Sequence, residues 1–145
     1  MKPNLLDIVL SLLLFTGVVV YIAIEQQEKP FEILDENGDP IVFQNTAVVL
    51  FWSTTSKPSQ RGLQVLTRLH KKHPDIQVIG VYSSEEDHDK IKDIQSSLGL
   101  QYPLVPSSYF PSSLPLSVVI QGEEKRFVSE DLHYQDILSL LNLEL

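Results

Sequence analysis

The chain has 145 residues, 19 Asp and Glu against 11 Lys and Arg for a formal net charge of −8, and no cysteine. Without cysteine there are no structural disulfides, thiolate metal sites, lipid-carrying amino-terminal cysteine or cysteine catalysis. The acidity, nearly all of it from Glu25 onward, argues against nucleic acid and anionic lipid surfaces as main partners and is what solubility alone requires.

Leu5 to Ile24 is almost wholly apolar, with Asp7 as its one charge. A helix of about 20 residues rises about 30 Å, the thickness of a hydrocarbon core. Residues 1–24 are therefore predicted to form a transmembrane signal anchor. A cleaved signal peptide is the weaker fit, because its apolar region runs roughly 7–15 residues and ends at small residues. The charge-free run from Ile8 to Ile24 is longer, and Tyr21-Ile22-Ala23-Ile24-Glu25 is a poor cleavage site. Lys2 precedes the span and Glu25 and Glu28 follow it, which places the amino terminus in the cytoplasm and the remainder outside.

Residues 25–30 read as a polar tether and residues 31–145 as one domain, long enough to bury its own core. Phe31–Leu34 and Ile41–Phe43 flank Asp35-Glu36-Asn37-Gly38-Asp39-Pro40, the pattern of a β-hairpin. Ala47 to Trp52 lacks polar residues, as a central strand covered on both faces should. Ser59 to His73 is predicted helical from Leu63, Leu66, Leu69 and His70, with Pro74 ending it. Ile76–Tyr82 is the next strand. Ser83-Ser84-Glu85-Glu86 reads as the capped start of a second helix running to Leu98, with Gly99 at its carboxyl-terminal cap. A loop rich in Pro and Ser covers 100–114, with a short strand near Tyr102–Val105. Leu116–Gln121 and Arg126–Val128 form a hairpin, and a last helix spans Leu132 to Leu143. This order gives an α/β sandwich around a mixed sheet.

Phe51-Trp52-Ser53-Thr54-Thr55-Ser56-Lys57-Pro58-Ser59 follows the central strand and opens a helix. It aligns residue by residue with the Phe-Trp-Ala-Thr-x-Cys-x-Pro-Cys motif of membrane-anchored TlpA/ResA-type thioredoxin-like proteins, which the chain resembles from Phe31 to its end. The Asp-x-x-Gly turn, the acidic helix after Val78 and the Leu114-Pro115-Leu116 segment are similar to that family too. The resemblance implies a thioredoxin-like three-layer sandwich preceded by one transmembrane helix, with a cis bond at Leu114–Pro115. It also implies an active site at positions 56 and 59, where a thiolate lowered in pKa by the helix start attacks and a second cysteine resolves. Here both are serine. Fold and position carry over; redox activity does not.

Ser56 is expected to cap its helix, with Pro58 tolerated in the first turn. No Gly-x-Ser-x-Gly elbow or placed base makes either serine a nucleophile. In active relatives the cis-proline loop offers a backbone edge to an extended substrate. A binding surface is accordingly expected from Trp52, Ser56, Lys57, Pro58, Ser59, Leu114 and Pro115. His70 and His73 read as solvated or helix-terminal, and neither a metal nor a cofactor is expected. The chain is thus expected to be a redox-inactive protein of the bacterial inner membrane, with its domain outside the cytoplasm. It would bind, chaperone or assemble protein partners near that membrane. The alternative is a thiol–disulfide oxidoreductase whose two cysteines have been replaced by serine.

Overall fold

The computed structural model describes residues 4–25 and 32–143. The backbone divides into two compact units, residues 1–31 and 32–145. The first holds helix α1 (Leu5–Glu25). Leu5, Leu6, Ile8, Val9, Leu10, Leu12, Leu13 and Leu14 are all exposed, so successive positions, rather than one stripe, are apolar. The Thr16 hydroxyl donates to the Leu12 carbonyl at 2.7 Å and is satisfied within the helix. The side chains at 15 and 17–25 lie outside those described, and among the described residues no helix is long and apolar enough to cross a membrane. The tether predicted over 25–30 lies, beyond Glu25, outside the described residues.

The second unit begins with a turn. The Asp35 carboxylate accepts the N–H groups of Asn37 and Asp39 at 2.8 and 2.9 Å, and Gly38 takes a positive φ of 84°. The hairpin expected here is reduced to one bridge, Leu34 to Pro40. Around it the Asp35 N–H donates to the Asp39 carbonyl and the Ile41 N–H to the Ile33 carbonyl, each at 2.8 Å, and Val42 beyond them is exposed. Five strands follow: β1 (Thr46–Phe51), β2 (Gln77–Ser83), β3 (Leu104–Ser107), β4 (Leu116–Gln121) and β5 (Glu124–Val128). Their order in the sheet is β3-β2-β1-β4-β5. β1 runs parallel to β2, and β2 to β3; β4 is antiparallel to both β1 and β5. β1 is buried from Ala47 to Phe51, as a strand with neighbours on both sides and cover on both faces must be. β5 closes one edge with Glu124, Lys125 and Arg126, charges that discourage further strand pairing.

Three helices complete this unit: α2 (Lys57–Lys72), α3 (His88–Leu98) and α4 (Tyr134–Leu140). Alternate strand residues Val48, Leu50, Val78, Tyr82 and Val119, with Trp52, share one buried cluster with Leu63, Leu66 and Leu69 of α2, Ile91 of α3 and Ile137 and Leu138 of α4. α2 sits close on β1: a Cβ at Gly62 would come within 2.9 Å of Leu50 Cδ2. The Tyr102 hydroxyl donates to the Leu63 carbonyl at 2.7 Å, and burial pushes this phenol well above its ordinary pKa, against a smaller opposing effect of Thr67. The opposite face, with Ala47, Val49, Phe51, Ile79, Val81 and Val118, is buried as well. There the Phe110 ring, from the loop before β4, meets Phe51 edge-on at 6.0 Å. The expected three-layer sandwich is thus, among the described residues, a mixed sheet with its helices on one face and loop side chains on the other.

The helix boundaries differ from expectation: α2 begins two residues earlier, at Lys57, and ends at Lys72. α3 begins at His88, capped by the Asp87 carboxylate on the Asp89 N–H at 2.9 Å, because Glu86 is engaged elsewhere. α4 is confined to Tyr134–Leu140, and Asn142 at a φ of 54° turns the chain out of it.

Candidate functional site

The parallel register sets Phe51 of β1 beside Val81 of β2, and the antiparallel register sets Phe51 beside Leu116 of β4. Three chain segments therefore leave or enter the sheet along the same edge: Trp52–Ser56, Ser83–Asp87 and the loop ending at Pro115. In α/β sheets the carboxyl ends of parallel strands are where ligands are usually met.

Trp52 continues the ladder, donating its N–H to the Val81 carbonyl at 2.9 Å. Its indole is 0% exposed and packs edge-on against Tyr82 at 5.9 Å, over the space left by Gly80, where a Cβ would approach Nε1 to 3.2 Å. Trp52 was expected to contribute to a binding surface; the structure encloses it. Among the described residues the Trp52 Nε1–H has no acceptor.

The chain next turns into α2. Ser56 is the N-cap, at φ −107° and ψ 101°, and its Oγ accepts the Ser59 N–H at 3.4 Å. Pro58 stands in the first turn, where a missing N–H costs nothing. Ser59 is 0% exposed. Its hydroxyl donates to the Ser56 carbonyl at 2.8 Å and accepts the Ser53 N–H at 3.1 Å. Gln60 holds the same loop from the helix side, its amide donating to the carbonyls of Ser53 and Thr54 at 3.1 and 2.8 Å.

The carboxylate of Glu86 closes the network from the end of β2. It accepts the Ser53 hydroxyl, the Thr54 hydroxyl at 2.6 Å and the Thr54 N–H at 3.2 Å. Partial burial raises the pKa of this carboxyl, but the bonds from Ser53 and Thr54, with Lys90 nearby, outweigh that and hold it below the ordinary glutamate range. Sequence reasoning assigned Glu86 to a helix cap and missed this role, together with those of Ser53, Thr54 and Gln60. The available signal was topological: two adjacent parallel strands place the residues just past their ends together.

The predicted positions separate into two groups. Ser59 and Trp52 are enclosed. Lys57 is exposed, and Ser56, Pro58, Leu114 and Pro115 are half-buried along the sheet edge. The Leu114–Pro115 bond is cis. His73 ends α2, donating its N–H to the Leu69 carbonyl at 2.8 Å, and the His70 ring packs edge-on to Tyr102, so neither faces the serines. Among the described residues no group of three His, Asp or Glu side chains is placed to hold a metal ion. Chemically, the site is a rigid, hydroxyl-lined turn at a helix start, with a cation at its rim and an apolar loop beside it.

No protein-family model and no curated relative matches this sequence. Solved structures do match. A secreted disulfide oxidoreductase of Mycobacterium tuberculosis, described as homologous to E. coli DsbE, superposes with a TM-score of 0.61 at 14% identity, over 78% of this chain and 95% of its own. StoA of Bacillus subtilis gives 0.61 at 17% identity, over 78% and 98%. A thioredoxin-like protein of Aeropyrum pernix gives 0.65 at 12%, over 88% and 97%. The fold is thioredoxin-like. At such identities the likeness extends to the backbone frame, and the thioredoxin-like frame puts Ser56 and Ser59 at the start of α2.

Glu86→Ala is expected to lower stability by about 1 kcal/mol, since charge-assisted bonds are worth more than this when buried but are screened at a partly exposed position. The sign of the pH dependence follows from the depressed pKa. Glu86 stabilises fully above the ordinary glutamate pKa, and the contribution fades as pH falls through the lower, folded value. Urea titrations of both proteins should show the gap at neutral pH and its progressive loss as the pH falls below the ordinary glutamate range. A gap independent of pH would show that the carboxylate does not hold the loop.

Proposed function

We propose that this chain is a redox-inactive, membrane-tethered thioredoxin-fold protein that binds a polypeptide partner along the edge formed by Ser56, Lys57, Pro58, Leu114 and Pro115. The observation that carries the reading is the hydrogen bonding of Ser59. Its buried hydroxyl serves as donor and acceptor within the loop, a structural duty rather than a reactive one. No thiol is present to exchange with a substrate disulfide. What remains is a rigid turn beside a half-buried apolar loop, open to an extended chain. The apolar character of Leu5–Ile24 and the exposure of its described leucines support a tether in the bacterial inner membrane, with the charge bias placing the domain outside the cytoplasm.

A photoreactive amino acid at Lys57 or Leu114, activated in intact membranes, should give one discrete adduct, and the same residue at Lys92 on α3 should give none. Absence of an adduct at both edge positions, or equal labelling from Lys92, would overturn the binding role.

One observation favours a second reading, a thiol–disulfide oxidoreductase with both cysteines replaced. Ser56 is half-buried at a helix N-cap, the place where a thiolate would be stabilised. The solved neighbours named as disulfide oxidoreductases share this frame. The reading expects the double substitution Ser56→Cys with Ser59→Cys to reduce insulin disulfides. The binding reading expects this variant to remain inactive, because the loop is shaped around hydroxyl oxygens.

A further inference from the structure

The outward face of α2 carries a feature that the serine turn does not use. Arg61, Gln64, Val65 and Arg68 recur at three- and four-residue spacing and so form one stripe. With the segment entering α4 they enclose a cleft of about 330 Å³. Its floor is apolar, from Val65 and the buried Leu132.

The two arginines are held differently. Arg61 pairs with Asp131 at 2.8 Å. The Arg68 guanidinium lies 4.1 Å over the ring of Tyr134. A cation–π contact consumes no N–H donor, so the guanidinium keeps its donors for an anion. Among the described residues Arg68 makes no ion pair. A flat guanidinium with an unused edge fits the two oxygens of a carboxylate. Two guanidiniums against one carboxylate make the cleft net positive in a chain of net charge −8.

We propose that this cleft binds an acidic peptide segment, in which an Asp or Glu meets the edge of Arg68 and a neighbouring apolar side chain rests on Val65 and Leu132. The apolar floor is wasted on a bare anion or on the phosphates of a nucleic acid, which bring no apolar group to it. An isolated acidic residue beside an apolar one suits both features. The site uses none of Ser56, Ser59 or Pro115, so its test is independent of the binding edge proposed above.

The test is fluorescence anisotropy on the full chain in neutral detergent, with a labelled hexapeptide of alternating Leu and Glu and a second in which Gln replaces Glu. The Glu peptide should bind saturably and the Gln peptide should not. Arg68→Gln should weaken binding about tenfold, the scale of one lost charge-assisted pair. Arg68→Lys should recover part of it, restoring charge without the planar fork. Tyr134→Phe, which keeps the ring, should bind as the unaltered chain does. Should Arg68→Gln fail to fold, the comparison of the two peptides on the unaltered chain carries the same test. Equal binding of the two peptides, or unchanged affinity in a folded Arg68→Gln variant, would overturn the proposal. Displacement of the peptide by inorganic phosphate at matching concentration would overturn it too, by showing a site for small anions.

Discussion

The turn between β1 and α2 depends on two oxygen groups that reach it from outside its own residues, Trp52 to Ser56. The Ser59 hydroxyl, from the first turn of the helix, fastens Ser53 to Ser56. The Glu86 carboxylate, from the end of β2, fastens Ser53 and Thr54. Each bond contributes only about 1 kcal/mol net, but a buried donor left without its acceptor costs about 1–3 kcal/mol, so the loop is fixed more by the cost of opening than by the gain on closing. The neighbouring strands supply the geometry. Because β1 and β2 are parallel and in register at Phe51 and Val81, the residues beyond their ends lie side by side, and a turn from Ser83 to Glu86 brings the carboxylate to the loop.

This arrangement explains what serine accomplishes at the start of a thioredoxin-like helix. A hydroxyl is a full donor and acceptor, whereas a thiol is weak in both roles. Ser59 is enclosed and uses both capacities, so oxygen is integral to the local backbone. Ser56 differs: it caps the helix at 3.4 Å and stays half-buried. The helix thus has a closed inner side and an open outer side within its first turn. Further along, Arg61 and Arg68 give its solvent face a charge opposite to that of the chain as a whole.

Much of the fold was legible because the signals were local and periodic. The unbroken apolar run of β1, the three- and four-residue spacing of Leu63, Leu66 and Leu69, and Gly99 in the left-handed region each follow from neighbours in sequence. The cap at Ser56 was readable for the same reason. The amino-terminal hairpin is shorter than its sequence suggests, because Asn37-Gly38 signals a turn but says nothing of how far its two arms stay paired beyond Leu34 and Pro40. The confinement of helices to one face was beyond reach, since it depends on the direction in which successive crossovers run. Glu86 was missed because its partners lie more than thirty positions away. The full enclosure of Trp52 was not legible, because an aromatic beside a motif looks the same in sequence whether it faces solvent or packs in the core. The stacking of Arg68 on Tyr134 likewise joins two helices distant in sequence.

The central claim is that the Ser59 hydroxyl holds the turn closed, and amide hydrogen exchange at Ser53 reads it directly. The Ser53 N–H has the Ser59 oxygen as its acceptor. In the Ser59→Ala variant, exchange at Ser53 should accelerate by at least about tenfold, the equivalent of one lost hydrogen bond, while Val49 in the centre of β1 keeps its protection. Equal protection of Ser53 in both proteins would contradict the account.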